Sequence, residues 1–134
     1  MPQVVVPVRY PLTPHSRATL RRAIDVAEER DASLTVLHVN LYQNNRKVSR
    51  GDLKEAVERV FGKLPRTRYA VRSGLLVEET ILDEVAAQDA EVVVIGKNTV
   101  GRWRSMLSRI VDDPDIERFL REQLDAEVVT ATVG

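Results

Sequence analysis

The sequence contains no cysteine, so disulfides, thiolate nucleophiles and Cys-ligated zinc or iron–sulfur centres are excluded. It carries no net charge: 20 Lys and Arg balance 20 Asp and Glu. Bulk electrostatics therefore give no reason to expect a general nucleic-acid or membrane-surface binder. Aromatic residues make up only 4% of the chain, and the single tryptophan, Trp103, stands between Arg102 and Arg104. Long apolar runs are absent too. Val4–Val6 and Val92–Ile95 are far short of the ~20 residues of a membrane span, and Met1-Pro2-Gln3-Val4 lacks the basic and apolar regions of a signal peptide. The expectation is a cytoplasmic protein. At 134 residues the chain has the length of one domain, read as residues 1–134.

What is present is a regular alternation. Gln3–Val8 is a short β-branched run and predicts a buried strand, with Pro7 near its exit. Thr13-Pro14 is a helix start, and Leu20, Ala23, Ile24 and Ala27 form its apolar stripe up to about Arg30. Leu34–Val39 is a second strand. The polar stretch from Asn40 to Arg50 reads as an exposed, mobile loop. Asp52 is the expected cap of a second helix, with Leu53, Ala56, Val57, Val60 and Phe61 on its buried face and Gly62 and Pro65 closing it. Thr67–Arg72 is a third strand, broken at Gly74. Val77, Ile81, Leu82 and Val85 mark a third helix ending near Gln88, and Glu91–Ile95 a fourth strand.

Beyond Gly96 the pattern loosens. Trp103, Met106, Leu107 and Ile110 share helical spacing. Asp113-Pro114 starts a helix with Ile116, Phe119, Leu120 and Leu124 on its apolar face, and Glu127–Val133 is a last strand. Strands alternating with helices imply a Rossmann-like, doubly wound, five-stranded parallel sheet with helices on both faces.

Val71–Gly96 (VRSGLLVEETILDEVAAQDAEVVVIG), preceded by VVVPVRY, Ser16 and LTVLHVN, resembles the universal stress protein (UspA-like) family in order along nearly the whole chain. The resemblance implies strand order 3-2-1-4-5, a role in stress response and a homodimer joined through the last strand, here Val128, Val129, Ala131 and Val133. Many members of that family bind ATP through an aspartate after the first strand and a loop of the form G-x2-G-x9-G-S/T after the fourth. This chain has Arg9 and Tyr10 at the first place and a Gly96-x4-Gly101 loop at the second, with Val111 where the later glycine would stand. Family-type ATP binding is accordingly expected to be lost.

A general anion site is the remaining expectation for the crevice between strands one and four. Arg9, Gly96, Lys97, Gly101, Arg102 and Ser105 are its candidate residues. No catalytic residue and no metal ligand is assigned. There is no G-x-S-x-G elbow, no Walker loop and no H-E-x-x-H, and Asp112-Asp113-Pro114-Asp115 is explained by a helix N-terminus. His38 reads as a packed strand residue and His15 as a surface helix residue. The resulting expectation is a non-catalytic, homodimeric binding or regulatory module without a cofactor. Two alternatives stand beside it: an adenine-nucleotide binder with a variant loop, extending to slow ATP hydrolysis, and a docking module for a transporter or enzyme.

Overall fold

The computed structural model describes residues 2–43, 47–96 and 126–131. In chain order these form β1 (Gln3–Pro7), α1 (Pro14–Glu29), β2 (Ser33–Leu41), α2 (Arg50–Phe61), β3 (Thr67–Gly74), α3 (Val77–Gln88), β4 (Val92–Gly96) and β5 (Glu127–Ala131). The strands make one all-parallel sheet in the order β3-β2-β1-β4-β5. This is the doubly wound topology expected from the alternation of elements, in the strand order that the family resemblance implies.

The two faces of the sheet account for the β-branched runs. Val4, Val6, Leu34, Val36, Val92 and Val94 point to one side, where they pack with Leu20, Ala23 and Ala27 of α1 and Leu53 and Val57 of α2. Val5, Leu37, Val93 and Ile95 point to the other, against Ile81 and Val85 of α3. A central parallel strand is covered on both faces, so every position can be apolar and alternation disappears. Val4–Val6 and Val92–Ile95 are accordingly fully buried.

Local chemistry sets the helix ends. Thr13 caps α1, its hydroxyl oxygen accepting from the Ser16 N–H at 3.1 Å, with Pro14 in the first turn. α2 is capped by Ser49, not by Asp52 as expected. The Ser49 hydroxyl accepts from the Asp52 N–H (3.1 Å), and the Asp52 carboxylate accepts from the Ser49 N–H (3.2 Å). The sequence contains both halves of this capping box, and the serine three residues upstream takes the cap because Asp52 closes it from within the helix. Gly62 ends α2 at φ 75°, a conformation that suits glycine. Val60 does not join the α2 core face; it is 46% exposed.

The stretch between β2 and α2 is also more ordered at its ends than its polarity suggests. β2 continues to Leu41, and Asn40 and Val48 are both buried. Buried hydrogen bonds replace the free loop ends expected from composition. The segment after Gly96, with its expected helices, lies outside the described residues, as does Val133.

Candidate functional site

In an open parallel α/β sheet, ligands bind at the carboxyl ends of the strands, where the chain order reverses. Here that point lies between β1 and β4: α1 crosses over one face toward β2, whereas α3 crosses over the other into β4.

Pro7 shapes the opening. The Val8 N–H donates to the Leu37 carbonyl (2.8 Å), and the Gln3 carbonyl accepts from the Glu91 N–H (2.9 Å). Backbone groups of the even residues of β1 thus face β2, and those of the odd residues face β4. Residue 7 is where β1 would next donate to β4, and proline has no N–H to give. The pairing of β1 with β4 involves Val4 and Val5, whereas pairing with β2 runs on through Pro7 and Leu37. A proline that looks misplaced in a central strand sits where two neighbouring strands part.

Beyond Pro7 the chain carries Val8, buried, and Arg9, exposed. Gly96 is the last residue of β4, at the carboxyl end of the strand that neighbours β1. The structure therefore brings Arg9 and Gly96 to one edge on adjacent strands. Lys97, Gly101, Arg102 and Ser105 lie outside the described residues.

His38 lines the same edge from β2. Its Nδ1 lies 3.0 Å from the Val8 carbonyl, which can only accept, so the ring donates there. In the neutral ring this leaves Nε2 as an acceptor. The Tyr10 ring meets the imidazole edge-on, with centroids 6.2 Å apart and planes at 64°. His38 is thus a packed strand residue, as the sequence suggests, and it pins the turn that carries Arg9. Nothing local in the sequence signals the Tyr10–His38 contact, because the residues are far apart in the chain and only strand pairing joins them. The Tyr10–Pro11 peptide is cis. His15 is exposed in the first turn of α1.

Helix N-termini and basic side chains gather at this rim. α1, α2 and α3 all begin on the carboxyl side of the sheet, because each follows a parallel strand. Their N-termini place the positive ends of the helix dipoles there, with Asp52 in the first turn of α2 and Glu79 in that of α3. The first turn of α1 contains no acid. Arg9, Lys47 and Arg50 are exposed on segments at the same end.

β5 occupies one edge of the sheet, pairing with β4 alone among the described strands. Of the expected interface residues, Val128 and Ala131 are buried in their own chain and Val129 is half-buried against the first core cluster. Their side chains serve the core, while Glu127 and Thr130 are the exposed residues of the strand. The start of β5 is tied to the end of α1 by an ion pair between Arg30 and Glu127 (2.5 Å). Among the described residues, no helix is long and apolar enough to cross a membrane.

Sequence comparison finds no matching family model and no similar curated protein. Comparison of the fold finds close counterparts. A universal stress protein in complex with cAMP superposes at a TM-score of 0.68, with 16% identity, over 99% of this chain and 98% of that one. A universal stress protein family protein from Arabidopsis thaliana with AMP bound matches at 0.62, with 16% identity, over 100% of this chain and 93% of that one. The universal stress protein from Archaeoglobus fulgidus in complex with dAMP matches at 0.56, with 18% identity, over 98% of each. The chain is an α/β protein of the Rossmann-like type. Its particular fold is that of the universal stress proteins, in agreement with the ordered motifs of the sequence.

Proposed function

We propose that this chain is a non-catalytic, homodimeric binding or regulatory module of the universal stress protein type, acting in the cytoplasm. Its carboxyl-edge crevice takes a small anionic ligand in place of ATP. The observation that carries this reading is the position of Arg9, at the exit of β1 and on the same edge as Gly96. A guanidinium there attracts phosphate or carboxylate, and the acid-free N-terminus of α1 reinforces the preference. The loop after Gly96 lacks the glycine spacing of the family's triphosphate cradle.

A second reading has its own support. Structural counterparts hold cAMP, AMP and dAMP, all of them monophosphates. Binding a nucleoside monophosphate makes no demand for a triphosphate cradle, so the altered loop is compatible with it. Calorimetric titration with phosphate, AMP, cAMP and ATP, repeated on Arg9→Ala, separates the readings. Phosphate binding that disappears in the variant supports the anion site. Binding of AMP or cAMP without binding of phosphate favours the second reading. Tight ATP binding, or heat from turnover, contradicts the first.

A further inference from the structure

β3 forms the other edge of the sheet, pairing with β2 alone among the described strands. The Arg66 carbonyl accepts from the Leu34 N–H and the Gly74 carbonyl from the Tyr42 N–H, both at 3.0 Å. Even-numbered residues of β3 thus turn their backbone groups inward to β2, and Tyr69, Val71 and Ser73 turn theirs outward. An open row of this kind is a template for strand addition by another chain. The hazard is sharpened at the carboxyl end, where Tyr42 and Leu75 are 63% and 66% exposed.

Two arginines occupy this row. Arg50, the first residue of α2, donates from Nε to the outward Tyr69 carbonyl at 3.0 Å. Arg72 donates from Nη1 to the outward Val71 carbonyl at 3.2 Å. Arg72 is also held by Glu84 of α3, Nε to Oε2 at 3.0 Å, and that carboxylate is buried. A buried anion keeps its cation in place, so Arg72 is anchored where it covers the edge.

We infer that Arg50 and Arg72 close the β3 edge to strand addition by a second copy of this chain. Both bring positive charge to a strand that a second β3 would have to approach with the same charges. Both also take up acceptors that the incoming strand would need. The inference is independent of the β5 dimer: it concerns the difference between wild type and variants, whatever oligomer the wild type forms.

The test compares wild type with Arg50→Ala/Arg72→Lys, in which the lysine retains a cation for Glu84 but has no second arm for Val71. It also uses Arg50→Ala/Arg72→Gln/Glu84→Gln, which leaves no unpaired buried carboxylate. Sedimentation over a wide concentration range and hydrogen exchange at the Tyr69, Val71 and Ser73 amides are the readouts, with melting curves to confirm folding. At least one folded variant should form a concentration-dependent species larger than wild type, with exchange at the outward amides slowed tenfold or more. Adding Ser73→Pro, which removes an outward N–H from the edge, should restore the wild-type behaviour. Folded variants that sediment as wild type with freely exchanging outward amides overturn the inference. So does an association that Ser73→Pro leaves intact.

Discussion

The Asn40 side chain and the Val48 backbone form a closed pair of hydrogen bonds: Asn40 Nδ2 donates to the Val48 carbonyl at 2.8 Å, and the Val48 N–H donates to Asn40 Oδ1 at 3.0 Å. The amide plays the part of a neighbouring strand, and the pair is buried. It ties the end of β2 to the residue before the Ser49 cap, and so sets where α2 begins. Asn40→Ala leaves both Val48 groups buried without partners. A loss of about 2–4 kcal/mol in unfolding free energy is expected, measurable by urea titration. A loss below about 0.5 kcal/mol would mean that water replaces the side chain.

Gly74 illustrates a close approach. A Cβ built there would lie 2.1 Å from Thr80 Oγ1, whose hydroxyl donates to the Leu76 carbonyl. Gly74→Ala should cost about 1–3 kcal/mol, a typical penalty for overpacking. Adding Thr80→Ala should recover most of that loss, and the double-mutant cycle should show coupling. Additive losses would place the strain in the backbone.

The Tyr69 hydroxyl is buried without a hydrogen-bond partner among the described residues, and burial, with Glu58 nearby, pushes its pKa up from 10.0 to about 12. An acid whose pKa is raised on folding favours the folded state while it is protonated. Its contribution is therefore complete below pH 10 and is lost as pH rises toward about 12. Stability should fall across that window, and Tyr69→Phe should flatten the fall. At neutral pH the same variant should be neutral or slightly stabilising, because the phenylalanine discards an unsatisfied hydroxyl. Melting temperatures at pH 7 and across the alkaline range check both points.

Glu84 is 6% exposed, and the guanidinium beside it comes from a half-exposed arginine. Removing Arg72 strands a buried charge, so Arg72→Ala should cost about 2–4 kcal/mol. Arg72→Ala combined with Glu84→Gln should recover at least half of it. A double variant no better than the single one would assign the loss to the packing of the arginine stem.

Edge geometry also makes the proposed dimer testable at one residue. The Glu127 N–H donates inward to the Glu91 carbonyl, so residues 127, 129 and 131 face β4, and Val128 and Thr130 turn their backbone outward. Thr130 is exposed. Thr130→Pro removes an outward N–H without breaking a bond to β4 and should yield monomers in sedimentation. A persistent dimer would place the interface elsewhere.

Much of this architecture is legible in the residues. Thr13-Pro14, Gly62, Gly74 and the Val77–Gln88 stripe mark element ends because caps, turns and amphipathic faces are local effects. Less legible is whatever depends on partners brought in by the sheet. Asn40 reads as loop by composition, yet it is buried because Val48 returns to it. Glu84 is buried on α3 because β3 supplies Arg72 beside it. Pro7 reads as a nuisance until strand order shows β4 on its empty side. Of the site, Arg9 and Gly96 could be paired from the expected strand order, whereas the His38–Tyr10 contact required the register.

If the carboxyl edge holds a small anion and not ATP, as proposed, phosphate and ATP differ in their effect on the native state. A thermal-shift titration with ATP, ADP, AMP, cAMP and phosphate, with and without Mg²⁺, tests it most directly, because a ligand of the native state raises the melting temperature by mass action. The expected result is a dose-dependent rise with phosphate that is lost in Arg9→Ala, and no additional rise specific to ATP. A larger rise with ATP than with phosphate, retained in Arg9→Ala, would contradict it.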